Sequence, residues 1–359
     1  MNYASRLSRL RRAVKTHKCD AFVTNSLKNL RYLCGFTGTA GMAVVTPKAA
    51  YFLTDFRYQQ QAMAQVPEEF VVLISKVALW QEAAQLLDGD VARIAFEAEH
   101  TSVASWQENK AYFPSAELIP TIGLIEGLRL QKDDDEIKIL RRAIKVADEA
   151  VKHVFGILRP GLTEREVEAE LLHQIKSRGA SGPSFEFIVA SGARGALPHG
   201  VASDKVLEAG DMVTIDMGAK VDGYCSDLTR TVCLGKPTKE QQNIYEIVWR
   251  AQTEAAAQMR PGQSCKAADK VARDIITEAG YGEFFGHGLG HGVGLQIHEA
   301  PRVSARSKEK LKAGNVVSCE PGIYIPDWGG VRIEDLVLIT PEGNQILSKA
   351  PKPRKMLAL

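Results

Sequence analysis

Two stretches of this chain set pairs of acids inside apolar, β-type runs, where an uncompensated carboxylate is costly. In VTIDMGAKVDGYCSDLTRTV (213–232), Asp222-Gly223 is a strong hairpin dipeptide. Asp216 and Asp227 are equidistant from position 221.5, so they are expected nearly opposite each other, with Cβ atoms ~4.5–5.5 Å apart. That centre lies one residue before the middle of the Asp-Gly pair, which calls for a longer loop or a bulge. Two carboxylates so placed repel unless a cation or a shared proton neutralises them, so the pattern predicts a metal or an acid dyad. The competing reading is a pair of solvated loop acids.

The second stretch, VVSCEPGIYIPDWGGVRIEDLVLIT (316–340), repeats the logic, with Glu320 and Glu334 equidistant from Asp327 in an Asp-Trp-Gly-Gly turn. Alternation along GVRIEDLVL puts Arg332 and Glu334 on one face and Val331, Ile333 and Asp335 on the other. Arg332 either steadies a carboxylate from behind or is an exposed edge-strand arginine; spacing alone allows both.

Histidines cluster in FFGHGLGHGVGLQIHEAPR (284–302), where Gly at 286, 288, 290, 292 and 294 opposes a helix and suits an extended strand packed closely on another backbone. His287, Leu289, His291 and Val293 are then expected to point the same way. The glycines exclude a helical His-x-x-x-His zinc pair, and neither a G-x-G-x-x-G nor a G-x-x-x-x-G-K phosphate loop fits. His298 joins His291 only if the chain bends around Gly294. His199 sits in the loop GALPHG (195–200) before the first acidic hairpin. Any one of these histidines alone would be read as packed or surface-exposed; beside four acids they are read as functional.

Four carboxylates and one imidazole form a hard, oxygen-rich donor set. It suits two divalent ions, Mn²⁺ first, with Co²⁺, Fe²⁺ or Zn²⁺ as alternatives, better than a thiolate-rich structural zinc site. Carboxylate-bridged ions lie ~3.5–4 Å apart and share a nucleophile, which points to hydrolysis.

The elements that must position these residues follow from hydrophobic patterning. Up to about residue 120, helix-like segments alternate with the strand candidates AFVT (21–24), MAVVT (42–46), YFLT (51–54) and FVVLI (70–74), predicting an α/β domain. Leu7, Leu10 and Val14 predict an amphipathic first helix. PTIGLIEGLRLQKDDDE (120–136) has the composition of a domain junction, giving domains 1–130 and 131–359. A long amphipathic helix, EIKILRRAIKVADEAVKHVFGIL (136–158), follows. The second domain contains an internal repeat. LRPGLT (158–163) returns as MRPGQS (259–264), and LEAGDMVTID (207–216) as LKAGNVVSCE (311–320), in the same order at offsets of 101 and 104. An α+β unit duplicated about a pseudo-twofold would bring Asp216 and Glu320, at equivalent strand ends, to one central site.

Length and composition fit this frame: 359 residues, 45% hydrophobic and 25% charged, suit a two-domain globular protein. A net charge of +2 argues against nucleic acid or an anionic membrane as the main partner, and no stretch nears ~18 consecutive apolar residues. The amino-terminal segment is basic but has no apolar core like that of a secretory signal. Six scattered cysteines without a C-x-x-C pair are read as reduced thiols of a cytoplasmic protein.

TIDMGAKVDGYCSDLTRT, HGLGHGVGLQIHE, SCEPGIY and VRIEDLVLIT together resemble the pita-bread metallopeptidases, which include aminopeptidase P, prolidase and methionine aminopeptidase. LRYLCGFTGTAG (30–41) and FLTDFRY (52–58) resemble the creatinase-type amino-terminal domain of the proline-directed members. The resemblance implies that Asp216 chelates one ion and His291 and Glu320 the other, with Asp227 and Glu334 bridging. It implies Glu320 as general base, His298 and His199 at the scissile peptide and the tetrahedral intermediate, His287 in the substrate pocket, and a homodimer. Its substrates would be short peptides with proline in second position. Arg302 is a candidate clamp for a dipeptide carboxylate, or a solvent-exposed loop arginine. Because no long insertion closes the second domain, the expectation leans to an Xaa-Pro aminopeptidase, with an Xaa-Pro dipeptidase as the alternative and a non-catalytic binding scaffold as a remote one.

Overall fold

Leu7, Leu10 and Val14 lie buried on one face of a helix, Tyr3–Thr16, as their spacing requires. The computed structural model describes every residue except Asp88 and Asp90, and it divides into two compact units between Arg129 and Leu130. In the first unit six strands form a mixed sheet, in the order Val71–Ile74, Ala50–Thr54, Met42–Val45, Ala21–Thr24, Arg93–Glu97, Glu117–Thr121. All four expected strands are present. The last two in the order were not foreseen: RIAFE opens on a charge, and ELIPT contains Pro120, tolerated because that strand forms the sheet edge.

The second unit opens on the helix Asp134–Phe155, whose start is fixed by a capping box. The Asp133 side chain accepts from the Glu136 N–H, and the Glu136 carboxylate accepts from the Asp133 N–H. This helix and Glu164–Ser177 lie beside a three-stranded antiparallel sheet of Ile188–Ser191, Met212–Met217 and Leu228–Cys233, with Met212–Met217 central. The second half repeats the plan. Helices Lys239–Gln258 and Cys265–Glu278 accompany Gly290–Gly292, Val316–Cys319 and Asp335–Thr340, with Val316–Cys319 between the other two. Each half has its own apolar core.

The duplication persists at the level of single hydrogen bonds. Gly161 N–H donates to Leu207 O at 2.9 Å, and Gly262 N–H to Leu311 O at 2.8 Å; Thr163 bridges Val206 as Ser264 bridges Lys310. Gly161 and Gly262 have φ of +94° and +83°, which explains why Pro-Gly survives in both copies. The chain is thus an α/β unit followed by an α+β unit with an internal pseudo-twofold repeat.

The first acidic hairpin corrects the expected register. Asp222 and Gly223, with φ of +45° and +81°, make a two-residue turn without an extra loop residue. Asp216 therefore pairs with Thr229, not Asp227. Asp227 falls next to Gly218, where a Cβ would stand only 2.0 Å from Ser226 O, so only glycine admits this crossing. The second hairpin does turn about Asp327: Gly322 pairs with Arg332, and Cys319 with Asp335.

Arg230 anchors the carboxy-terminal segment behind these hairpins. Buried, it donates to Asp335 Oδ1 at 2.8 Å and to the carbonyls of Ala350 and Pro351. Arg230→Met leaves the buried Asp335 with Lys352 as its remaining cation. It should cost about 3 kcal/mol, the lower end for breaking a buried pair. Urea denaturation checks this; a change within about 0.5 kcal/mol, the range of surface substitutions, would refute it.

Candidate metal centre

The acids reach one point from four backbone segments. Asp216 lies in the strand Met212–Met217, Asp227 just before Leu228–Cys233, Glu320 just after Val316–Cys319, and Glu334 just before Asp335–Thr340. One carboxylate oxygen each from Asp216, Asp227 and Glu334 lies within 4.8 Å of the others. His291, in the short strand Gly290–Gly292, brings Nε2 to 3.6 Å from Asp227 Oδ2 and 3.3 Å from Glu320 Oε1, tying Glu320 to the group. All five expected ligands are therefore gathered. Asp216 and Asp227 meet across the sheet on a diagonal rather than face to face, still within side-chain reach.

The expected long strand through His287 and Val293 is not formed. Only Gly290–Gly292 is extended; Leu289 and Val293 are fully buried, while His287 and His291 line a cleft of about 750 Å³. Glycine is required here for approach: a Cβ at Gly290 would sit 2.1 Å from Ser318 O. The chain does bend after Gly292, and His298 returns over His291 with ring centroids 4.5 Å apart in an edge-to-face contact. His199, His298 and Arg302 line the same cleft, with Arg302 paired across strands to His291.

Arg332 is not an exposed edge arginine. It is buried, and Nη2 donates to Asp216 Oδ2 at 2.7 Å, Nη1 to the Tyr324 hydroxyl at 2.9 Å and Nε to the Thr229 hydroxyl at 3.1 Å. Thr229 in turn donates to Glu334 Oε2 at 2.8 Å, and Ser318 to Glu320 Oε1 at 2.9 Å. His287 Nε2 and the Tyr324 hydroxyl are 2.8 Å apart. The sequence reading names Arg332 but not Thr229, Ser318 or Tyr324. Tyr324 shares the strand parity of Glu320, and Thr229 that of Asp227, so alternation from the acids would have found both.

Electrostatics show what the site lacks. Burial, reinforced by neighbouring acids, pushes the Asp227 and Glu334 carboxyls well above the usual range. Burial also raises Asp216, outweighing the Arg332 charge. Glu320 goes the other way: burial opposes, but the hydrogen bond and charge of His291 hold it down to about 2. His291 is raised correspondingly, its burial outweighed by Glu320, whereas burial lowers His287 and His298.

Among the described residues, Asp216 Oδ1 and Glu334 Oε1 are buried without any hydrogen-bond partner. Orphaned carboxylate oxygens in such a crowd of acids are what a divalent cation would satisfy, and the oxygen-rich set with one imidazole fits a hard or borderline ion. A second trio, Glu97, His100 and Glu126 in the first unit, is already hydrogen-bonded: Asn29 donates to both glutamates and Thr24 to Glu97.

Residues 138–341 match metallopeptidase family M24, and residues 6–131 the Creatinase/Prolidase N-terminal domain. A solved structure of an Xaa-Pro dipeptidase from Bacillus anthracis superposes with a TM-score of 0.96 at 44% identity, covering 100% of both chains. The Xaa-Pro dipeptidase of Pyrococcus horikoshii is 40% identical over 335 residues, 93% of each chain. An X-Pro aminopeptidase structure from Thermotoga maritima has a TM-score of 0.90 at 35% identity, over 97% of this chain and 100% of that one. The buried acids, their unsatisfied oxygens and these likenesses converge: the chain belongs to metallopeptidase family M24, a metallo-exopeptidase whose pita-bread catalytic unit follows a creatinase-type amino-terminal domain.

Proposed function

We propose that this protein is an Xaa-Pro dipeptidase holding two divalent ions, Mn²⁺ first among them. Asp216 would serve one ion, His291 and Glu320 the other, with Asp227 and Glu334 shared; the 3.3 Å contact of His291 with Glu320 and the close grouping of the other three acids support this division. Bound divalent ions supply Lewis acidity and lower the pKa of water. The chain's own groups do the rest. Glu320, kept ionised by His291, accepts the proton of the attacking water. His298 and His199, both lining the cleft, contact the scissile carbonyl and its developing negative charge, with His287 walling the pocket.

The observation that carries the dipeptidase reading is Arg302. It stands opposite His291 across paired strands, lines the cleft, and makes no ion pair among the described residues. A guanidinium so placed suits the carboxylate of a substrate two residues long. The dipeptidase relatives support this, and it replaces the aminopeptidase preference drawn from the lack of an insertion. The aminopeptidase reading keeps one specific support, the Thermotoga maritima structure.

Competing hydrolysis of Xaa-Pro and Xaa-Pro-Yaa decides. The dipeptide should be preferred, and Arg302→Ala should reduce kcat/KM for it by about 10- to 100-fold, the loss of one charge-assisted contact of about 1.5–3 kcal/mol. Equal or faster tripeptide cleavage would restore the aminopeptidase.

A further inference from the structure

Lys132 has no part in the chemistry above, yet its side chain is 1% exposed, a rare position for a lysine. Its backbone is tied down on the loop that leads into the strand Val316–Cys319. Lys132 N–H donates to Gly314 O at 2.8 Å, Gln131 Nε2 to Ala313 O at 2.9 Å, and Asn315 Nδ2 to Leu130 O at 2.8 Å. From this fixed base the ammonium reaches Glu299 Oε2 at 3.0 Å. Glu299 is 5% exposed on its side chain and directly follows His298.

The other oxygen of Glu299 closes the turn that carries His298, accepting the Gln296 N–H at 3.1 Å. Gly294 lets the carboxylate fold into that turn, since a Cβ there would lie 2.6 Å from Glu299 Oε2. The same turn is held from outside by Cys225 N–H, which donates to Gly294 O at 2.8 Å. Thus the bend between His291 and His298 is built around one buried carboxylate, and Lys132 is its fixed cation.

We infer that Lys132 and Glu299 are positioning residues for His298: the buried pair fixes the 293–298 turn and thereby the angle at which the imidazole meets the scissile peptide. This rests on the reading of His298 as a substrate-contacting group. A misplacement of about 1 Å at such a group costs on the order of 100-fold in rate. Of the groups assigned to the site, His298 ends the turn that this carboxylate closes, whereas Asp216, Asp227, Glu320 and Glu334 lie on other segments.

The test is a double-mutant cycle of Lys132→Met and His298→Ala in the Mn²⁺-loaded full-length enzyme, with crystal structures of the variants. Lys132→Met should lower kcat about 10- to 100-fold at unchanged metal content, and add nothing further in the His298→Ala background. If Lys132→Met does not fold, Lys132→Met/Glu299→Gln removes both charges together and takes its place in the same cycle. The crystal structure needs no substrate: the His298 ring should have left its 4.5 Å contact with His291. An unmoved ring, additive losses, or loss of metal would each overturn the inference. A native enzyme that leaves Xaa-Pro uncut while the ring still moves would overturn only the proposed function.

Discussion

Asp227→Asn is expected to lower kcat/KM at least about 100-fold and, in the metal-free protein, to raise stability. The activity loss is bounded from below by the 10- to 100-fold that even outer partners of metal ligands cost. The stability gain follows from the surroundings. Asp227 is buried among Glu334, Asp216 and Glu320, and its carboxyl lies well above the ordinary value of 3.8. The folded state thus binds this proton more tightly than the unfolded chain. Stability from the group is fully present below the unfolded pKa and is lost as pH rises through the folded one. Between pH 5 and pH 8 the metal-free wild type therefore loses stability through this group. Asparagine, which never ionises, avoids burying an uncompensated charge and should restore about 1–3 kcal/mol, the range for an unsatisfied buried polar group. For a unit of about 150–250 residues, the range into which Leu130–Leu359 falls, this is roughly 2–4 °C in Tm per kcal/mol. With metal bound the sign reverses, because the cation stabilises the native carboxylate and not the amide. Calorimetry of both proteins, with and without Mn²⁺, at pH 5 and pH 8 reads every term. A metal-free Asp227→Asn less stable than wild type at pH 8 would show that the carboxylates are satisfied without a cation.

Legibility in the sequence follows the physics of each element. The repeat was readable because its turns need glycine at positive φ, at Gly161 and Gly262 and again at Gly210 and Gly314, and such positions resist substitution. The second hairpin was readable because Glu320 and Glu334 share the turn centre at Asp327. The first was misjudged by one residue, since carboxylates were required to face each other across a ladder while long side chains also converge diagonally. Asp222-Gly223 was the better guide, because a turn of that type fixes register on its own. The path of 287–298 was legible only in part: Gly290 and Gly294 announce close approach, but not to which backbone or side chain. Arg332 and Tyr324 belong to a network closed by tertiary contacts with Asp216 and His287, which strand alternation can propose and not decide. On the proposed reading, substrate length turns on what the Arg302 guanidinium meets in the cleft, and residue type alone leaves that open.

Metal removal has the largest expected effect and bears most directly on the central claim that this is a metal-dependent peptidase acting on Xaa-Pro. Among the described residues Asp216 Oδ1 and Glu334 Oε1 are buried without a hydrogen-bond partner, and the cations ion-paired with these acids are the Arg332 guanidinium and, when protonated, His291. Without added positive charge the centre is under-compensated, and Glu320 would lack an activated water to deprotonate. The decisive measurement is hydrolysis of an Xaa-Pro dipeptide by protein dialysed against a chelator, then titrated with Mn²⁺ while metal content is read in parallel. No turnover should be detectable in the stripped protein, and activity should return with bound metal and saturate near two ions per chain. Full turnover by the stripped protein would contradict the metal dependence.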